Sequence, residues 1–305
     1  KHISPSPSRF HTPPRTTPPP ICVWTEVTSP NRKLLIIGLD SAPPELVFAR
    51  FLPDLPNIRA LIDSGTSGPL RSTIPPITVP AWASMMTGRD PGSLGVYGLR
   101  NRVDRSYKPM EVADSGWVVE PTLWDLASAA GLQSVLVGIP QTYPVRPVNG
   151  CLVSSFLTPD TRADYTYPPE LRDEVEQVAP GYLLDVPDFR TDDKERVLRQ
   201  IYEMTAQRFR LTRHLITSKP WDLAVHVEMG TDRINHAFWR YLDESHRKHD
   251  PASTYRYAIR DYYRYLDGAI GDLVRAAGGE TTIRLVSDHG AKRIDGGICV
   301  NEWLL

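Results

Sequence analysis

The chain has 305 residues, of which 41% are hydrophobic, enough for one large α/β domain or for one domain with an insertion. Its 35 basic and 36 acidic residues give a net charge of −1, which argues against nucleic-acid binding and favours small-molecule chemistry. The three cysteines are widely spaced and form no CxxC pair, so they indicate neither a disulfide framework nor a thiolate zinc site, and they favour a reducing, cytoplasmic location. No apolar run reaches the roughly 18 residues of a membrane span.

Residues 1–32 are rich in proline, serine, threonine and arginine, and such a composition buries too little apolar surface to fold. We interpret this stretch as a disordered lead-in to a core over residues 33–305. The first residue is Lys1 rather than methionine, and the last follows the motif-like Asn301-Glu302-Trp303 directly. We therefore expect a chain that is cut at its ends.

Apolar runs of strand length alternate with amphipathic segments along the core. The runs predict strands at residues 33–39, 133–139, 151–156, 222–228 and 281–286, and the helical spacings predict helices at residues 55–64, 122–130, 191–217 and 252–277. Continuous apolar strands that alternate with helices are typical of a parallel sheet covered on both faces. Residues 159–189 are rich in Pro, Tyr and Asp without clear periodicity, which favours an inserted loop or cap over a site.

Thr78 stands where a short helix is predicted to begin. Pro80 follows two residues later, and proline is favoured in a first helical turn because its missing N–H would be unpaired there. The pattern predicts Thr78 as the N-cap of a helix that Gly88 ends in the left-handed conformation. A helix start suits a phosphoryl group, although helix capping alone is the simpler interpretation of an isolated threonine.

Acidic and histidine side chains follow three predicted strands. They are Asp40, then Asp232 with His236, and then the pair Asp288-His289. Parallel strands bring such ends to one edge of the sheet, where carboxylate oxygens and imidazole nitrogens are suitable ligands for zinc or manganese. Asp232 and His236 share one face if their segment is helical. Each group alone also fits a turn or a surface pair.

Together these residues carry a resemblance that covers the core from about residue 33 onward. The matching phrases, in family order, are IIGLD at 36–40, STIPPITVPAWASMMTG at 72–88, the segment 232–236, SDHG at 287–290 and VNEWL at 300–304. The chain resembles the alkaline phosphatase superfamily, in its type I phosphodiesterase and nucleotide pyrophosphatase branch, and most nearly the predicted phosphohydrolase/phosphomutase group. The implied fold is a three-layer α/β/α sandwich with a mostly parallel central sheet and an inserted cap at 159–189, here without the C-terminal part of the core.

The resemblance also implies the residues of the site and its cofactors. The ligands of one metal ion would be Asp40, Thr78, Asp288 and His289, with Thr78 also the nucleophile, and two ligands of a second ion would be Asp232 and His236. The cofactors would be two divalent ions, with zinc favoured and manganese the alternative. Independently of the resemblance, Asn101 is a candidate for contacting the phosphate because it lies shortly after the nucleophile segment.

The implied function is a metal-dependent phosphohydrolase or phosphodiesterase. It would cleave a small phosphate ester or a nucleotide-like substrate through a phosphothreonine at Thr78. One alternative is a phosphomutase of the same superfamily. The other is a catalytically silent binding protein or fragment, because the family has a further distal histidine for the second metal and no histidine follows His289 here.

Overall fold

The structure is a computed structural model, and it describes residues 33–104 and 109–304. The apolar runs of the sequence form most of its strands. The described strands are β1 (Leu34–Leu39), β2 (Arg100–Arg102), β3 (Met110–Val112), β4 (Ser134–Val137), β5 (Gly150–Val153), β6 (Thr166–Tyr167), β7 (Leu223–Glu228) and β8 (Thr282–Val286).

Helices fill most of the connections between these strands. The described α-helices are α1 (Pro56–Ser64), α2 (Thr78–Thr87), α3 (Pro91–Leu94), α4 (Leu123–Ala129), α5 (Leu171–Val178), α6 (Lys194–Ser218), α7 (Gly230–Leu242), α8 (Ala258–Ala277) and α9 (Val300–Trp303). A π-helical turn covers Glu45–Arg50, and short 3₁₀ turns cover Leu52–Asp54 and Ser115–Trp117. None of the helices in the described ranges is long and apolar enough to cross a membrane.

The central sheet has six strands in the order β6-β5-β4-β7-β1-β8, and a separate hairpin pairs β2 with β3. The pairs β4–β5, β4–β7, β1–β7 and β1–β8 are parallel, whereas β6 lies antiparallel to β5 at one edge. The predicted mostly parallel α/β fold is therefore confirmed. This order makes β7, β1 and β8 neighbours, and these are the strands that precede the predicted metal ligands.

Alternation along the strands divides the core between the two faces of the sheet. Leu35 and Ile37 of β1 point into a cluster with buried side chains of α6, α7 and α8. Val225 of β7 belongs to a second cluster with Trp82 of α2 and Trp124 of α4. Because both faces are covered by helices, the strands read as continuous apolar runs in the sequence.

The predicted disordered lead-in over residues 1–32 lies outside the described residues. The segment 159–189, where no periodicity was identified, contains β6 and the helix α5, whose Leu171 and Val175 are buried. Its role as a cap stays a prediction, as does the cytoplasmic location.

Candidate active site

The site lies at the edge of the sheet where β1, β7 and β8 end. Asp40 follows β1 directly, α7 begins at Gly230 just after β7, and Asp288 follows β8. The backbone N–H of Ser41 donates to Asp288 Oδ1 at 3.0 Å, and the N–H of Ala42 donates to Ser287 Oγ at 2.9 Å. These bonds hold the turns after β1 and β8 against each other, and they bring residues far apart in the chain to one place.

Thr78 is the first residue of α2, and Ile77 precedes the helix as its cap. The expectation of Thr78 as the N-cap is therefore wrong, and its side chain makes no capping hydrogen bond within the described helix. Instead, Thr78 Oγ1 lies 3.4 Å from Asp40 Oδ1 and 3.1 Å from His289 Nε2. Gly88 ends the helix with a φ of 68°, as the sequence predicts. The hydroxyl thus lies at the positive end of the helix dipole, in contact with Asp40 and His289.

Asp40 is fully buried, and a tryptophan fixes its carboxylate. Trp82 Nε1 donates to Asp40 Oδ2 at 2.8 Å, which leaves Oδ1 facing Thr78 and His289. A Cβ at Gly38 would lie 2.2 Å from Cη2 of Trp82, so the strand must carry glycine where the indole crosses it. The sequence analysis did not identify this pair, because nothing in the local pattern shows that the indole packs on β1.

His289 presents its Nε2 to the other site atoms. Its Nδ1 lies 2.9 Å from the carbonyl oxygen of Gly290, and because a carbonyl only accepts, Nδ1 carries the proton. In the neutral ring Nε2 then has a lone pair that accepts from Thr78 Oγ1 at 3.1 Å, and it lies 3.6 Å from Asp40 Oδ1 and 3.3 Å from Asp288 Oδ2. Such a backbone bond is the usual way in which a metal-binding histidine is oriented.

The acid groups of the site lie close together in a buried place. Burial raises the pKa of Asp40 well above its ordinary value, and the charges of Asp288 and Asp232 raise it further. Burial raises the pKa of Asp288 to about 7. Carboxyl groups arranged in this way repel one another, and a bound cation would relieve that repulsion.

The residues present fit a divalent cation. Asp40, Asp288 and His289 each offer a ligand atom, and these atoms lie within 4.8 Å of one another. Asp288 Oδ2 is buried and accepts no hydrogen bond from any described residue, which is unusual for a carboxylate oxygen unless it has another partner. The mixed oxygen and nitrogen donor set suits zinc or manganese.

Asp232 and His236 form a second pair on α7. Asp232 Oδ1 lies 3.4 Å from His236 Nε2, as the i, i+4 spacing predicts, and the other oxygen, Oδ2, accepts from Arg233 Nη1. The His236 side chain is 46% exposed and reachable from solvent, whereas Asp232 is buried. Two ligand atoms on one helix face can share an ion.

Asn101, the candidate phosphate contact, lies in β2 and is buried. Its Oδ1 accepts from the backbone N–H of Tyr97 at 2.9 Å. Its Nδ2 has no hydrogen-bond partner in the part of the chain that the structure describes. This amide therefore has donor capacity to offer, but no hydrogen bond between Asn101 and Thr78 is seen among the described residues.

Sequence reasoning also missed the residues that orient α7. Asn235 Nδ2 donates to the carbonyl oxygen of Ser41 at 2.7 Å, and Glu228 Oε1 accepts from the N–H of Gly230 at 2.6 Å. In the sequence, Asn235 lies between Asp232 and His236, and Glu228 is the last residue of β7. Their closeness to the predicted ligands was the feature from which a supporting role could have been inferred. The two bonds fix the start of α7 relative to the turn after β1.

The sequence profile of the type I phosphodiesterase / nucleotide pyrophosphatase family matches residues 34–305. The chain belongs to this family. The match covers the whole described core, including every predicted ligand. A search of curated proteins found no match to this family member.

Solved structures share the fold of this phosphodiesterase-family chain. Phosphonoacetate hydrolase from Sinorhizobium meliloti 1021, in complex with phosphonoformate, superposes with a TM-score of 0.54 at 16% identity, covering 86% of this chain and 57% of that one. A 2-O GAG sulfatase superposes with a TM-score of 0.52 at 12% identity, covering 85% of this chain and 58% of that one. The chain thus spans less than two thirds of the length of these structures, and the likeness establishes the alkaline phosphatase-like fold.

Proposed function

We propose that this protein is a metal-dependent phosphoric ester hydrolase that works through a phosphothreonine at Thr78. Membership of the phosphodiesterase family supports a phosphoester hydrolase. The observation that carries the mechanism is the position of Thr78 Oγ1, at the start of a helix and within 3.4 Å of Asp40 and His289. A hydroxyl in that position has both a site for activation and a helix dipole that stabilises developing negative charge.

The groups for two divalent ions are divided between two sides of the site. Asp40, Asp288 and His289, with the Thr78 hydroxyl, would hold one ion, and Asp232 with His236 would contribute to holding a second. When bound, such ions supply Lewis acidity, which favours the alkoxide of threonine and offsets charge on the phosphate oxygens.

Residues of the chain supply the nucleophile and the hydrogen-bond donors for the phosphate. Thr78 Oγ1 loses its proton to solvent and attacks phosphorus; a new P–O bond forms while the P–O bond to the leaving group breaks, and the leaving oxygen takes a proton from solvent. Water then cleaves the phosphothreonine, which releases phosphate or a phosphate monoester and restores the hydroxyl. The backbone N–H groups of Thr78 and Val79 at the start of α2 and the unpartnered Nδ2 of Asn101 are the donors we assign to the phosphate oxygens.

The test is turnover of bis-p-nitrophenyl phosphate and p-nitrophenyl phosphate with added zinc or manganese. We expect Thr78→Ala to reduce turnover by about 10³-fold or more, as for loss of a nucleophile. Thr87→Ala, at the other end of α2, is the matched control and should keep wild-type turnover. Unchanged turnover in Thr78→Ala contradicts the proposal.

A second measurement addresses the intermediate and the reaction class. Rapid acid quench during turnover of p-nitrophenyl phosphate, followed by peptide mass spectrometry, should find one phosphoryl group on Thr78. Adding p-nitrophenyl sulfate and phosphonoacetate to the panel tests the chemistries named for the structural neighbours. Isomerisation of a phosphosugar without phosphate release would instead identify a phosphomutase.

A further inference from the structure

Arg233 is a buried cation on α7 that contacts Asp232, one of the two α7 side chains assigned to the second ion. Its side chain is 7% exposed. Nη1 donates to Asp232 Oδ2, while Nε and Nη2 donate to the two oxygens of Asp185 at 2.6 and 2.8 Å. Burial alone would lower the pKa of this guanidinium, but the charges of Asp185 and Asp232 raise it, so it stays protonated.

Asp185 belongs to the 159–189 segment, and the same part of that segment touches the site a second time. The guanidinium carbon of Arg233 lies 4.4 Å from the ring centroid of Phe189. That ring in turn lies 5.5 Å from the ring of His236, centroid to centroid. The end of the segment therefore contacts both Arg233 and His236.

The charges of the group decide whether a cation can bind there. Asp232 and Arg233 alone have no net charge, and a buried guanidinium in contact with a ligand carboxylate opposes a divalent ion. Asp185 returns the group to a net charge of −1. Asp185 also binds Nε and Nη2 of Arg233, so that Arg233 contacts Asp232 Oδ2 through Nη1 alone. The other oxygen of Asp232, Oδ1, therefore stays turned to His236 Nε2.

We propose that Asp185 is a positioning residue for the second divalent cation, and that the 159–189 segment sets the affinity of that ion through Arg233. The proposal rests on the proposed function. Asp185 neutralises the guanidinium and orients it, and Asp232 Oδ1 with His236 Nε2 remains available as a ligand pair.

The experiment measures zinc affinity directly. The metal-free full chain is titrated with Zn²⁺ in competition with a chromophoric chelator, and two affinities are fitted. We assign the weaker affinity to the second ion and the tighter one to the first. In Asp185→Asn we expect the weaker affinity to fall by about 10-fold or more, the usual range for loss of a residue that supports a ligand, and the tighter affinity to stay the same. Asp188→Asn is the matched control, because that side chain lies on the same segment, is exposed and makes no hydrogen bond or ion pair among the described residues.

A double variant separates charge from structure. Asp185→Asn with Arg233→Gln removes the cation together with its counter-ion and keeps a net charge of −1 on the group formed by positions 185, 232 and 233. We expect it to recover the weaker zinc affinity to within about 3-fold of wild type, whereas a structural role predicts a further loss. Thermal unfolding of each variant reports whether it is folded.

The outcomes distinguish this proposal from the proposed function. If Asp232→Asn changes neither affinity, the second ion is wrong and Asp185 has no role toward it. If Asp232→Asn abolishes the weaker affinity while Asp185→Asn matches wild type, only the role of Asp185 is overturned. Failure of the double variant to recover affinity overturns the charge argument.

Discussion

Gly38→Ala tests whether the strand and the tryptophan that fixes Asp40 are packed as tightly as the structure shows. The added Cβ would lie 2.2 Å from Trp82 Cη2, and 3.0 Å and 3.1 Å from two further ring atoms. Trp82 is fully buried, and its Nε1 is bonded to Asp40 Oδ2. Moving the indole away from the strand would therefore strain or break that bond.

The magnitude follows from two losses. Overpacking a filled core costs about 1–3 kcal/mol. Losing a hydrogen bond to a buried carboxylate adds about 1.5–3 kcal/mol. We expect Gly38→Ala to lower the free energy of unfolding by about 3 kcal/mol or more.

Urea denaturation monitored by circular dichroism measures this change. Gly268→Ala is the control with the opposite sign: that glycine lies inside α8 and a Cβ there would meet no described atom within 4 Å, so the chain should gain about 0.5–1 kcal/mol. In a Trp82→Phe background Gly38→Ala should cost less, because the clashing atom is gone. A Gly38→Ala chain within about 0.5 kcal/mol of wild type refutes the reasoning.

Two further predictions concern buried titratable groups. Burial lowers the pKa of His226 to about 3, so the unfolded chain binds a proton below pH 6.5 at this side chain that the folded chain does not, and this group alone should lower the free energy of unfolding by about 1.4 kcal/mol per pH unit from pH 6.5 toward 3. The slope of unfolding free energy against pH should be reduced in His226→Gln by one proton, and an unchanged slope contradicts the assignment. Burial also raises the pKa of the Cys151 thiol to about 12, so iodoacetamide at pH 8 should alkylate exposed Cys299 well before Cys151 in the native protein, with equal reaction in urea. Peptide mass spectrometry gives the order, and comparable native rates would show that Cys151 is accessible.

The helices and central strands were predictable because their patterns are long and regular. The amphipathic repeat predicted a helix over 191–217, and α6 covers Lys194–Ser218; the apolar run at 33–39 became β1. The short helix α5 was missed inside 159–189, although its buried Leu171 and Val175 have helical spacing. Pro168, Pro169 and Pro180 flank this eight-residue helix, and because proline is typical of loops, the whole segment was predicted as a loop.

The candidate site was predictable to the level of strand ends and no further. Side chains after β1 and β8 were expected to meet, and Asp40, Asp288 and His289 do lie together. The roles of Trp82 and Asp185 depend on contacts between distant parts of the chain, which no local pattern encodes. For the same reason Thr78 was wrongly predicted as the N-cap of α2. The sequence indicated a helix start at this position, but contacts with Asp40 and His289 determine where the hydroxyl points.

The place of β1 in the sheet has a consequence for synthesis of the protein. Both neighbours of β1 come late in the chain, since Leu34 pairs with Leu223 on one side and with Thr282 on the other. At ~5–20 residues per second, this apolar strand leaves the ribosome roughly 10–40 s before its first partner exists. An unpaired apolar strand is a template for aggregation during that time. The nascent chain is therefore expected to need a holding chaperone until β7 emerges, and the candidate site, which also depends on β8, forms later still.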